Sequence, residues 1–136
     1  MSKSYYSLGL MSGTSMDGVD ASLIKSDGLS KYNTISNKYF EYDKNLYQNL
    51  TNIRDKISNS KDLEILSNDL KSIEKEITLF HAKVVNEITK ESTFEIDFIG
   101  FHGQTTFHNA DEKISRQLGD GKLLSQLTKK TVVYNF

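Results

Sequence analysis

Ten residues, Met11-Ser-Gly-Thr-Ser-Met-Asp-Gly-Val-Asp20, separate two strand-like runs and constrain the fold more than any other stretch. Before them Tyr6 to Met11 reads as a buried strand, and after them Val19, Ala21 and Leu23 alternate with Asp20 and Ser22. Strand-like runs on either side of a glycine-rich turn predict a β-hairpin. Gly13 and Gly18 can take positive φ and let the backbone approach a ligand closely. Successive N–H groups of such a turn form a concave nest for an anion, with the Thr14 and Ser15 hydroxyls as further donors. The same residues also make an ordinary hydrophilic hairpin loop, so the turn by itself leaves both readings open.

A second polar cluster lies near the C-terminus. Ile96 to Phe101 makes another strand and runs straight into His102-Gly-Gln-Thr-Thr-Phe-His108. Polar groups at the end of a buried strand are where α/β sheets place ligands. The two histidines are six apart, so in an extended segment both imidazoles fall on one face. A zinc site needs more ligands than two histidines with no cysteine. Each histidine alone reads equally as a surface or hydrogen-bonded imidazole, whereas the His-Gly-Gln-Thr group as a whole has little packing purpose.

Between the clusters the chain reads as scaffold. Residues 31–42 are a third strand completing an antiparallel meander, although Asn33 and Asn37 weaken it. Asp43 caps a helix over 44–57, with Leu46, Leu50, Ile53 and Ile57 on one stripe. After a break at Asn59-Ser60, a longer helix is predicted over 61–90, its apolar residues recurring at threes and fours from Leu63 to Ile88. That stripe fits either a coiled coil or one helix laid across a sheet. His81, beside Phe80, is expected at the boundary of the apolar face. Further on come a polar turn at 109–113, a short strand at 114–118, a bend at 119–121, a helix over 122–129 and a strand from Thr131 to Tyr134. Asp120 serves either as the cap of that last helix or as a ligand contact. The sum is an α/β domain, a mixed sheet in which three antiparallel strands are extended by later parallel ones, with packed helices.

Composition narrows the function classes. At 136 residues the chain suits one domain. Its 37% hydrophobic and 26% charged residues place it with globular and not disordered chains. A net charge of −1 gives no basic field, which argues against nucleic acid. The lack of cysteine excludes a disulfide frame or a thiolate zinc site. No signal-like opening and no apolar run near the roughly 18 residues of a membrane span is present, so no membrane partner is expected and a cytoplasmic location is the default expectation.

Gly9-Leu-Met-Ser-Gly-Thr-Ser-Met-Asp-Gly-Val-Asp20, then Gly100-Phe-His-Gly-Gln-Thr105 with His108, then Gln117-Leu-Gly-Asp120 and Thr131-Val-Val133, taken in that order, resemble the N-terminal half of the anhydro-N-acetylmuramic acid kinases. The resemblance implies a ribonuclease-H-like domain of the actin, hexokinase and heat-shock-protein superfamily over 1–136, with a second domain lying outside this chain. It implies ATP and Mg²⁺ as cofactors and 1,6-anhydro-N-acetylmuramic acid as substrate. The ring is opened by water while O6 is phosphorylated, giving N-acetylmuramic acid 6-phosphate and ADP in cell-wall recycling. A homodimer is implied as well. Carried onto this sequence, Gly13, Thr14, Ser15, Met16, Asp17, Gly18, Val19 and Asp20 would face the nucleotide phosphates. His102, Gln104, Thr105, His108 and Asp120 would face the sugar, and Asp17 or Asp20 would reach Mg²⁺ through water.

The departures from the family pattern are specific. Met11 stands where many superfamily relatives carry a magnesium-orienting carboxylate, Asn109 stands where a proline usually follows the second histidine, and Tyr134-Asn135-Phe136 replaces Ala-Asp-Phe. The arginine and the general-base aspartate of the family are expected beyond Phe136, so the 136-residue chain alone is expected to be inactive. Two other readings are a shortened, non-catalytic module binding a sugar or a partner, and a glycosidase using Asp17 and Asp20 as its acid/base pair. Nucleotide dependence separates the last from a kinase.

Overall fold

Alternation of inward and outward side chains builds the first strands. In the computed structural model, which describes residues 3–111 and 113–135 (of Ile114 the backbone only), β1 (Tyr5–Ser12) buries Leu8, Leu10 and Ser12 and exposes Gly9 and Met11. β2 (Gly18–Ser26) buries Val19, Ala21 and Leu23 and pairs antiparallel with β1, Met11 lying opposite Asp20. β3 (Tyr32–Glu41) pairs antiparallel with β2 as the outer strand. Most of β3 is exposed, and its Asn33, Asn37 and Lys38 suit an edge that must not recruit another strand.

Asp43 accepts a hydrogen bond from the Leu46 amide at 2.8 Å and so starts α1 (Lys44–Lys56), which buries Leu46, Leu50 and Ile53. The predicted long helix divides in two. An Asn59/Asp62 capping box opens α2 (Ser60–Ile65), and after Leu66 comes α3 (Ser67–Glu91). The interruption follows because α2 fully buries no residue that would hold it in line across Ser67, Asn68 and Asp69, poor interior helix formers in succession. The stripe on α3 is laid across the sheet, where Leu70, Ile73, Ile77, Val84, Val85 and Ile88 join Leu8, Ile99 and Phe101, with Leu46 and Leu50 of α1, in one core. Each such fully buried side chain contributes about 1.5–3 kcal/mol.

The chain then returns as β4 (Phe98–Asn109), parallel to β1. This strand outruns the expected end at Phe101, so the His-Gly-Gln-Thr group is itself strand. Along its far edge β4 is paired first by β6 (Thr131–Tyr134), parallel, and then by β5 (Ile114–Leu118), antiparallel. α4 (Gly121–Thr128) connects β5 to β6 and begins one residue before the predicted start. The mixed sheet runs β3-β2-β1-β4-β5, with β6 on β4. Of the expected C-terminal strand, Phe136 lies outside the described residues.

Two irregularities in β4 matter for the site. Between Leu10 and Ser12 of β1 it advances from Phe101 to Gln104, three residues against two. The extra residue is accommodated at Gly103, with φ +84°, where a Cβ would come within 2.7 Å of the Leu118 carbonyl oxygen. Against β5 it gains another residue between Thr105 and Phe107. No helix among the described residues is long and apolar enough to cross a membrane.

Candidate functional site

The turn between β1 and β2 is built from its buried members outward. Gly13, Thr14, Ser15 and Asp17 are exposed, while Met16 is buried in the core. The Met16 amide closes the turn on the Gly13 carbonyl at 3.2 Å, and Met16 itself is left-handed, with φ 59°. Neither Gly13 nor Gly18 uses the positive φ open to it. The left-handed position falls instead on Met16, whose side chain anchors the turn from below and offsets roughly 1–3 kcal/mol of backbone strain. Gly18 is needed for space, because a Cβ there would lie 2.4 Å from the Phe40 carbonyl oxygen. At Gly13 a Cβ would meet nothing within 4 Å, so the turn presents open room above its backbone. A turn followed by a left-handed residue is the geometry of an anion nest. Among the described residues, the Thr14 and Ser15 amides donate to no backbone carbonyl of the connecting segments.

Four buried polar side chains lie directly beneath. The Gln104 Nε2 donates to the Gly13 carbonyl at 2.6 Å and to the Thr105 carbonyl at 3.1 Å. The Tyr42 hydroxyl sits 3.0 Å from both Gln104 Oε1 and Ser12 Oγ. Ser12 Oγ is 3.2 Å from His81 Nε2, and His81 Nδ1 is 2.8 Å from the Ile77 carbonyl. His81 is therefore not a boundary residue: it is completely buried, tilted against Phe101 with ring centroids 4.9 Å apart. Burial pushes its pKa down to about 4, opposed by the hydrogen bond to Ile77, so the ring is neutral. Burial likewise pushes the Tyr42 phenol up to about 12.

Asp17 closes the other side of the turn. Its carbonyl accepts from the Tyr42 amide at 2.8 Å, and its carboxylate accepts from Ser15 Oγ at 2.8 Å. Hydrogen bonds from Ser15 and then Tyr39 hold its pKa below the usual carboxylate value.

The remaining predicted residues divide by face. Leu10 pairs with Phe101 and Ser12 with Gln104, all buried on the α3 side of the sheet. His102 follows Phe101 and is directed to the opposite face, which also carries Met11 and Asp20. The irregularity at Gly103 brings Thr105, opposite Gln117, onto that same open face, and the second one returns His108, opposite Ser115, to it. Asp20, Met11 and His102 thus lie on three neighbouring strands, spanning about 10 Å at ordinary strand spacing. Gln104 stands apart from the other sugar candidates, being buried with its amide engaged inside the protein. Asp120 caps α4 by accepting from the Leu123 amide at 3.0 Å, and its own amide donates to Thr78.

No group of three or more His, Cys, Asp or Glu able to hold a metal is found among the described residues. One exposed carboxylate beside a phosphate site suits Mg²⁺, which keeps most of its waters and takes further ligands from the phosphates. Asp20, directly across from Met11, places an exposed carboxylate on the neighbouring strand. A surface depression of about 450 Å³, lined by Lys25, Asp27 and Lys31 among others, lies at the opposite end of the β2–β3 hairpin. At the His102 end a hollow of about 20 Å³ lies between Gly103, Gln117 and Tyr134.

A family model described as Anhydro-N-acetylmuramic acid kinase matches residues 5–136. The chain belongs to the anhydro-N-acetylmuramic acid kinase family. It is 62% identical over its whole length to an anhydro-N-acetylmuramic acid kinase from Pelagibacter ubique (strain HTCC1062), covering 36% of that protein. It is 38% identical to the Agrobacterium fabrum (strain C58 / ATCC 33970) anhydro-N-acetylmuramic acid kinase and 36% identical to that of Rhizobium etli (strain ATCC 51251 / DSM 11541 / JCM 21823 / NBRC 15573 / CFN 42), over 94% of this chain and 35% of each relative. The chain spans about a third of the length of these anhydro-N-acetylmuramic acid kinases. Sequence reasoning missed Ser12, Tyr42 and His81 as parts of the site. The signal existed for two of them: Ser12 continues the inward phase of Leu8 and Leu10, and His81 lies four residues after Ile77 on the apolar stripe.

Proposed function

We propose that this chain forms the phosphate-holding lobe of an ATP-dependent sugar kinase acting on 1,6-anhydro-N-acetylmuramic acid. The observation that carries the reading is the exposed Gly13-Thr14-Ser15 turn, held from beneath by Gln104 and bordered by His102 on the neighbouring strand, in a chain of this family. Three antiparallel strands followed by parallel β4 and β6 support a ribonuclease-H-like lobe of the actin and hexokinase type. The Thr14 and Ser15 amides and the Thr14 hydroxyl hold the β- and γ-phosphates, and the open room over Gly13 lets them approach. Mg²⁺ would neutralise phosphate charge, with Asp20 or Asp17 reaching it through water.

His102, Thr105 and His108, sharing the open face, orient the sugar so that O6 lies in line with the γ-phosphate. Gln104 acts on the turn and not on the sugar. Asp120 serves first as a helix cap. In the whole reaction water opens the anhydro ring as O6 is phosphorylated, yielding N-acetylmuramic acid 6-phosphate and ADP, a step of cell-wall recycling. In a protein of the relatives' length the second wall of the cleft and the general base come from the other two thirds. The test is ADP release with the anhydro-sugar and MgATP, by a protein of that length bearing this region. No sugar-dependent ADP above the no-sugar control would refute the assignment.

A further inference from the structure

The four side chains beneath the turn form a hydrogen-bonded chain whose proton arithmetic fixes what each member does. The two donors of the Gln104 amide face the Gly13 and Thr105 carbonyls, which leaves Oε1 toward Tyr42. His81 Nδ1–H donates to the Ile77 carbonyl, so the Nε2 of a neutral ring is an acceptor and takes the Ser12 hydroxyl proton. The single Tyr42 proton is then shared between Ser12 Oγ and Gln104 Oε1, which lie equally far from it at 3.0 Å. Every link is used and none is spare. The chain ends at the Gly13 carbonyl. In a trans peptide the C=O and the following N–H point in opposite directions, so a carbonyl pulled inward aims the Thr14 N–H outward, away from the core.

We propose that His81, Ser12 and Tyr42 are positioning residues that act through Gln104 to lock the Gly13–Thr14 peptide in the orientation that presents the Thr14 amide to an anion. This rests on the phosphate-turn reading but makes a separate claim about where the turn's geometry originates. Burial makes the arrangement costly to break, because removing one hydroxyl leaves a buried acceptor unpaired. The turn is tied through this chain to α3, the longest helix.

The experiment compares amide resonances and hydrogen exchange of residues 13–17 in the 136-residue chain and in Tyr42→Phe, Ser12→Ala, His81→Leu and His81→Gln. MgATP and inorganic pyrophosphate serve as probes, and far-UV circular dichroism monitors the fold. The first three variants are expected to shift the Thr14 amide resonance and to speed exchange of the Met16 amide, which the Gly13 carbonyl holds. Any pyrophosphate or MgATP affinity should weaken by roughly tenfold, the loss of about one buried hydrogen bond. His81→Gln, which can again meet Ser12, restores the wild-type Thr14 resonance. If Thr14 is unmoved in folded Tyr42→Phe and Ser12→Ala, the proposal is overturned, whether or not nucleotide binds. If Thr14 responds as described but neither probe binds the wild type or a protein of the relatives' length, positioning stands and the phosphate reading fails. Should Ser12→Ala unfold, Tyr42→Phe alone decides.

Discussion

At the scale of single residues, space and protonation decide. Gly13→Val places branched methyls in the open room above the turn and should abolish phosphate affinity while circular dichroism stays unchanged. An affinity for MgATP within twofold of wild type would show that the turn faces no phosphate. His81 carries a pH signature. Its pKa lies at about 4 in the folded protein and about 6.5 when exposed. Between those values the unfolded chain binds the extra proton, so this contribution to stability is complete above pH 6.5 and is lost as the pH falls toward 4. The loss is on the order of 3 kcal/mol. Urea midpoints of wild type and His81→Gln at pH 7 and pH 4.5 measure it, the variant showing the shallower dependence.

At the scale of elements, the helix that covers the sheet and the strand that carries the histidines are the sensitive parts. Ile77→Ala, at a fully buried position on α3, should cost about 2–5 kcal/mol in urea unfolding. Gly103→Ala must fit a Cβ against the Leu118 carbonyl at a positive φ, and should cost at least the roughly 1–3 kcal/mol of that backbone strain. Most element positions were legible from the chain itself: the hairpin from its alternation, α1 from Asp43, α4 from Asp120. What escaped had tertiary causes. The break at Leu66 depends on α2 having little to bury, and the extension of β4 to Asn109 depends on β5 supplying partners that no local pattern displays. The candidate site was legible where polar residues cluster and invisible where one polar residue sits inside an apolar pattern, as Ser12 and His81 do.

At the scale of the whole molecule, one wall of a cleft cannot enclose a reaction. We expect the purified 136-residue chain to release no ADP above background with the anhydro-sugar and MgATP, since the proposed function places the water-activating base in the part of the relatives' length that this chain does not span. Turnover by this chain alone would require a base among the residues described, with His102 and His108 the first to replace by alanine.

The two extra residues of β4, at Gly103 and between Thr105 and Phe107, cancel each other's effect on which way the strand presents its side chains. Length in this segment therefore carries a parity. Deleting one residue there would turn His108 toward α3, whereas deleting one at each irregularity would give a regular strand with both imidazoles still outward. Natural or engineered insertions between 102 and 107 should be tolerated in pairs and rejected singly, a rule readable by growth selection on a library of such length variants in a protein of the relatives' size.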